Sequence, residues 1–263
     1  MTLLKHELKI NFKTFLIWVI SVSVLCGGCL MLFDSMKGAM EEMAQSYADM
    51  GAFTQAFGMD KLSIATMDGF FSVEVGTMFA IGAAMFSALM GIGMLSKEEG
   101  AHTAEFLNTL PIKRSNIVIQ KLLSLLIIIG AFDLICYGVF CGSIAIVGEK
   151  ADLLSIFIYI LAQFVMHIQI ALLCFAISAF TKKNQFGIGL GLAMVLYMLD
   201  IISRITDKVD FLKFFTPFYY ANSSDIMSNQ GIKEPMLLCI GIVISVLCAA
   251  LAYMIYTKKD IAS

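Results

Sequence analysis

Four polar side chains interrupt long apolar runs: Asp133, Tyr137, Gln163 and His167. Asp133 lies twelve residues past Lys121, about 18 Å along a helix, which places it near the middle of a bilayer core about 30 Å thick. A carboxylate at that depth is costly unless paired or protonated, and such groups mark ion or cargo paths. Tyr137 follows one turn later and shares its helix face. Gln163 and His167 also share a face, at i and i+4, while Gln169 points nearly the opposite way. These four line a translocation path, or they hydrogen-bond across helices and pin a bundle. The sequence leaves both readings open. Asp200, four residues before Arg204, reads as a local ion pair, and Glu74 reads as reaching the headgroups.

Other chemistry is missing by spelling. No G-x-x-x-x-G-K-[ST] occurs, and no Gly immediately precedes a Lys, so no phosphate-cradling loop is present. His6-Glu7 lacks the second His of H-E-x-x-H. Glu98-Glu99 has Thr103 where an E-E-x-x-x-R intramembrane protease carries Arg. The three histidines, His6, His102 and His167, are far apart in the chain, so a histidine metal site within one chain is not expected. The seven cysteines fall inside apolar runs. There Cys acts as a small hydrophobe, and Cys26-Gly27-Gly28-Cys29 reads as close helix packing.

The elements that hold these residues are set by length. Six apolar stretches, at about 15–33, 70–95, 122–147, 154–180, 185–203 and 236–256, are each long enough to cross a bilayer. The chain is 59% hydrophobic and 14% charged, against about 25% charged in a soluble domain. With three prolines and no ten-residue alternation, a β-barrel is not expected. The expected fold is therefore an all-α integral membrane protein, one six-span domain over residues 1–263. The first stretch lacks a small-x-small cleavage site and is expected to remain as a span.

Charge sets the orientation. With the N-terminus inside, the inner segments carry eleven bases against five acids, and the outer ones seven against twelve. The positive-inside rule then puts both termini in the cytoplasm. Loops 34–69 and 204–235 fall outside and segment 96–121 inside. In the N-terminal segment, Leu4, Leu8, Phe12 and Phe15 recur on one helix face and Lys5, Lys9 and Lys13 on another. This predicts an amphipathic interfacial helix with lysines toward anionic lipid. The competing reading is an extension of the first span with snorkelling lysines.

Segment 96–121 is the most specific part of the chain. Its polar start leads into Thr109-Leu110-Pro111, where proline forbids continued helix. A second helix is expected to restart with Ser115 as N-cap and to run through Lys121 into the third span. Charged residues, then E-F-L-x-T-L-P-I-x-R-x-x-I, then a Lys opening a span, resemble the first cytoplasmic loop of ABC type-2 permeases. These are the six-span membrane subunits of bacterial ABC exporters. Leu212 to Tyr220 is similar to the L-x-x-x-(S/T)-P-F-x-Y stretch before the last span of that family. The two segments cover about 40 residues, while span number and length fit over the whole chain.

The resemblance implies a permease in the bacterial plasma membrane that pairs with a second copy or a similar chain. It implies a separate cytoplasmic ATPase carrying Mg-ATP, with no cofactor on this chain and no nucleic-acid partner. It implies that the loop between the second and third spans holds a coupling helix docking in a groove of the ATPase. The residues carried over are Glu98, Glu99, His102, Glu105, Phe106, Leu107, Leu110, Lys113 and Arg114. An amphipathic peptide, drug or lipid-like cargo suits the Met- and Phe-rich spans. Sodium export, with Asp133 as the carboxylate, is the alternative within the family. An ion-driven carrier or a non-transporting sensor is the alternative outside it. Gly187 and Gly191 form G-x-x-x-G for an intra-bundle or a dimer contact. The aromatic run Phe211–Tyr220 reads as an interfacial belt, or, by the resemblance, as short re-entrant helices. The methionines of the first outer loop read as an adaptable surface or as packing for a short amphipathic helix.

Overall fold

The computed structural model describes residues 2–47, 51, 54, 58–101, 103, 112–183, 185–205 and 207–259. Among these residues there are helices and turns and no strand. Six helices are long and apolar enough to cross a membrane. They are α1 (Thr2–Met31), α3 (Met67–Ile92), α5 (Arg114–Val147), α6 (Leu153–Phe180), α7 (Phe186–Ile205) and α9 (Pro235–Lys258). Three shorter ones are α2 (Phe33–Tyr47), α4 (Lys97–Gly100) and α8 (Ser223–Asn229). A helix satisfies most of its backbone groups within itself, the condition for crossing hydrocarbon.

The bundle is built around α3 and α6. In each, 67% of the apolar window is buried, against 17% for α9. So α3 and α6 form the core and the others wrap it, with side chains such as Val24, Leu134, Ile146, Val243 and Leu247 turned outward. Gly91 permits a close α3–α6 approach, since a Cβ there would collide with the Ala171 carbonyl. Phenylalanines fill the centre. Phe79 packs edge-on to Phe140 at 5.2 Å and to His167 at 5.6 Å, and Phe86 stacks on Phe132 at 4.6 Å.

Within α3, residues Phe71–Val75 form a π turn. A π turn displaces carbonyls from the ordinary ladder, and neighbours satisfy them here. Ser223 Oγ donates to the Ser72 carbonyl, and Tyr159 Oη donates to the Gly76 carbonyl at 2.7 Å. Tyr159→Phe should remove one buried hydrogen bond to the turn just after the π turn and cost about 0.5–1.5 kcal/mol, read as a lower unfolding midpoint in detergent. An unchanged midpoint would mean this stretch does not need the donor.

Several details differ from the sequence expectation. α5 starts at Arg114 with Lys113 as N-cap and no side-chain bond, so Ser115 is not the cap. The helix does run unbroken through Lys121, and it ends at Gly148 in the left-handed region (φ 78°). In place of a separate interfacial helix, the lysine-bearing N-terminal segment forms the first turns of α1 itself. Thirty residues in one helix reach about 45 Å, longer than the bilayer core, so its first turns extend beyond the hydrocarbon. Gly27 supports the packing reading of the Cys26–Cys29 stretch: a Cβ there would sit 2.8 Å from Val139 on α5. The described cysteines are all free. In G-x-x-x-G, a Cβ on Gly187 or Gly191 would meet open space, while Gly189 packs against α3 near the Ala88 carbonyl. Of the first outer loop's methionines, Met40 is buried on α2 and Met36 is exposed.

Candidate functional site

The end of the bundle that carries both termini has a floor of interlocked charges. Short α4 follows α3 closely, and this brings Lys97, Glu98 and Glu99 under the bundle. Lys121, about two turns into α5, is completely buried. A buried ammonium needs acceptors for its three N–H groups, and it finds them. It donates to the Met94 carbonyl at 2.6 Å and to Glu98, and it lies 3.2 Å from Glu7 Oε1. Glu7, on α1, is 1% exposed and also pairs with Lys97. A second tie joins Glu99 to Lys259 at the end of α9, at 2.8 Å. Lys259 in turn donates to the Thr181 carbonyl just past α6, and Arg114 donates to the Lys259 carbonyl at 2.7 Å. The segment between the second and third spans is thus fastened to α1, α5 and α9.

Of the expected coupling residues, Glu98, Glu99 and Arg114 take part in this floor, and Lys113 is exposed. Glu99 is buried and faces inward. His102, Glu105, Phe106, Leu107 and Leu110, with the turn at Pro111, lie outside the described residues. The sequence reading missed Glu7 and Lys121 as a pair. A signal existed: Glu7 is the lone acid among Lys5, Lys9 and Lys13.

At mid-bundle, Asp133 and His167 meet. Nδ1 of His167 lies 3.0 and 3.1 Å from the two carboxylate oxygens, with both residues buried. His167 Nε2 has no hydrogen-bond partner among the described residues. Gln163, one turn away, donates to the Ala221 carbonyl at 2.7 Å, and its Oε1 is likewise unpaired. Three of the four expected path residues are therefore buried, Asp133 and His167 where α5 meets α6 and Gln163 beside Ala221. Tyr137 is not brought to them: it is half-buried and packs 5.7 Å from Phe157. Among the described residues no three His, Cys, Asp or Glu side chains gather as a metal would require.

The opposite end is closed by residues 207–229. A 3-10 helix, Asp207–Phe214, leads to turns and then to α8, whose Ser223 to Met227 are buried. Arg204, at the end of α7, lies between two carboxylates, 2.9 Å from Asp200 and 2.6 Å from Asp225. Lys61 adds a bond to Asp225 at 2.7 Å. Burial alone would raise the Asp225 carboxyl; Arg204 and Lys61 outweigh it and hold it below its ordinary value. The Asp200–Arg204 pair read from the sequence is there, and Asp225 and Lys61 extend it into a clasp. Arg204 also lies over the Tyr219 ring at 4.5 Å and donates to its carbonyl, so the aromatic run is held by the same cation.

Comparison with known proteins adds one finding. A family model described as ABC-2 family transporter protein matches residues 1–261. A search of curated proteins gives no match.

Proposed function

Because the chain belongs to the ABC-2 transporter family, a family of multi-pass membrane proteins, we propose that it is the permease of an ATP-driven exporter. Two copies, or this chain and a similar one, enclose the path in a bacterial plasma membrane. A separate cytoplasmic ATPase binds Mg-ATP and supplies the energy, and this chain carries no cofactor of its own. Both termini lie in the cytoplasm, as the excess of bases at that end favours. The cargo is an amphipathic peptide, drug or lipid-like molecule, passed by alternating access.

The observation that carries this reading is the charged floor. A push on segment 96–121 has a stiff route into the spans. Glu98 reaches α1 and α5 through Lys121 and Glu7, and Glu99 reaches α9 through Lys259. Ion pairs buried at a helix base move together or break at considerable cost. In this reading Glu98, Glu99 and Arg114 transmit motion. Lys113 and the segment holding His102, Glu105, Phe106, Leu107 and Leu110 meet the ATPase. The Asp133–His167 pair with Gln163 forms a polar station on the path.

Co-purification tests the reading. The tagged chain, extracted in mild detergent from its host, should bring a soluble ATPase with it. Glu105→Lys with Leu107→Ser should lower the recovered ATPase about tenfold or more, the effect of losing a docking anchor, while the permease keeps its elution volume. If no ATPase accompanies the parent chain, the exporter reading is wrong. If the double variant retains it fully, the docking segment is elsewhere.

A further inference from the structure

A groove of ≈ 310 Å³ opens at the termini end between α1, the end of α3 and the start of α7. Its wall is apolar, from Leu89, Met90 and Phe186, and its rim is polar, from Asn11, Thr14 and Lys97. That size falls within the range of small-molecule sites, and a polar rim over an apolar wall matches an amphiphile. Phe186 is half-exposed, and Ile10 and Ile17 on the neighbouring α1 are more than half-exposed. The groove therefore sits among surfaces that face acyl chains.

The charge around the rim selects the headgroup. Lys97 has three N–H donors, and its described contact is with Glu7 alone. Lys182 and Lys183, four and three residues before Phe186, are exposed, as are Lys5, Lys9 and Lys13, which lie on the face of α1 turned away from Asn11 and Thr14. Among the described residues none of these five lysines is in an ion pair. Glu7, the acid nearest the rim, is already held by Lys97 and Lys121. Unpaired ammonium groups at the headgroup level attract anionic lipid.

We infer that this groove binds one anionic phospholipid of the surrounding leaflet, its phosphate on Lys97 and Thr14 and its acyl chain along Leu89, Met90 and Phe186. The inference does not rest on the exporter reading, because the lipid comes from the bilayer and not from the cargo.

The test uses the full chain in detergent, titrated with phosphatidylglycerol or phosphatidylcholine and weighed intact by native mass spectrometry. One phosphatidylglycerol per chain should be retained in preference to phosphatidylcholine. Thr14→Glu, which puts a carboxylate on the rim without touching the charged floor, should weaken retention about fivefold. Thr14→Gln, of similar size to Glu but neutral and still a hydrogen-bond donor, should weaken retention much less than Thr14→Glu. Retention by the parent chain should also fall with added salt, since exposed charges are screened; this measurement stands even if Thr14→Glu does not fold. Equal retention of the two lipids, equal loss in Thr14→Gln and Thr14→Glu, or indifference to salt would each overturn the inference.

Discussion

Lys121→Met should destabilise the folded chain by about 3–5 kcal/mol. The methionine fits the space, so the cost is electrostatic. Glu7 is 1% exposed and Glu98 is partly buried against the same ammonium. Removing the cation leaves two carboxylates facing each other, with Lys97 to serve Glu7 alone. The Met94 carbonyl also loses its donor. Unfolding in detergent micelles, followed by tryptophan fluorescence, should show a midpoint lowered well beyond that of a surface lysine such as Lys9→Met. The decisive comparison is the triple variant Lys121→Met, Glu7→Gln, Glu98→Gln. Neutral groups of the same shape should restore most of the lost stability, because buried ion pairs contribute little net over neutral replacements. If the single variant is as stable as the parent, the floor does not hold the bundle. If the triple variant is as unstable as the single, packing and not charge is responsible. A triple variant that folds yet no longer responds to the proposed partner ATPase would separate the floor's proposed mechanical role from its structural one.

Arg204→Met should cost a similar amount, about 3–5 kcal/mol, at the opposite end. Asp200 and Asp225 are 4% and 3% exposed, and the guanidinium is the cation they share. Asp225 would keep Lys61, and Lys233 at 3.7 Å, whereas Asp200 would lose its described partner. The expected result is loosening of α8 and the Phe211–Tyr220 run, seen as faster proteolysis between residues 207 and 229 and a lower unfolding midpoint. The pH dependence has a definite sign. Asp225 has a folded value depressed below the ordinary 3.8, so its contribution is fully present above that value. It is lost as pH falls through the lower folded value. In Arg204→Met this acid-side loss should shrink, since Lys61 alone depresses the carboxyl less. An Arg204→Met chain with the parent's protease resistance and acid profile would show that Arg204 does not clasp the cap.

Much of the fold was legible because apolar length and charge bias are one-dimensional properties. Six runs of about twenty apolar residues give six spans wherever their neighbours sit. The site was legible in parts. Gln163 and His167 share a face because helix spacing says so. That Asp133 turns to His167 while Tyr137 turns away depends on which helix lies beside α5. A period of 3.6 residues does not tell this, since residues four apart still diverge by about 40° around the axis. The missed cap at Ser115 has a local cause: a long helix packed against neighbours can begin a residue or two early without a capping side chain.

The sequence by itself determined the class, the number of spans, the segregation of charge between the two ends and the absence of a nucleotide-binding loop. The energy of moving apolar or charged groups between water and lipid is paid residue by residue and needs no knowledge of neighbours. Only the tertiary structure decided which charges meet. Glu7 and Lys121 are 114 residues apart and Lys61 and Asp225 are 164 apart, and nothing in either local pattern names the partner. Burial strengthens such pairs because the low dielectric magnifies both attraction and the cost of isolation. The contacts that join the ends of the bundle are thus set by packing, the one property a linear reading does not contain.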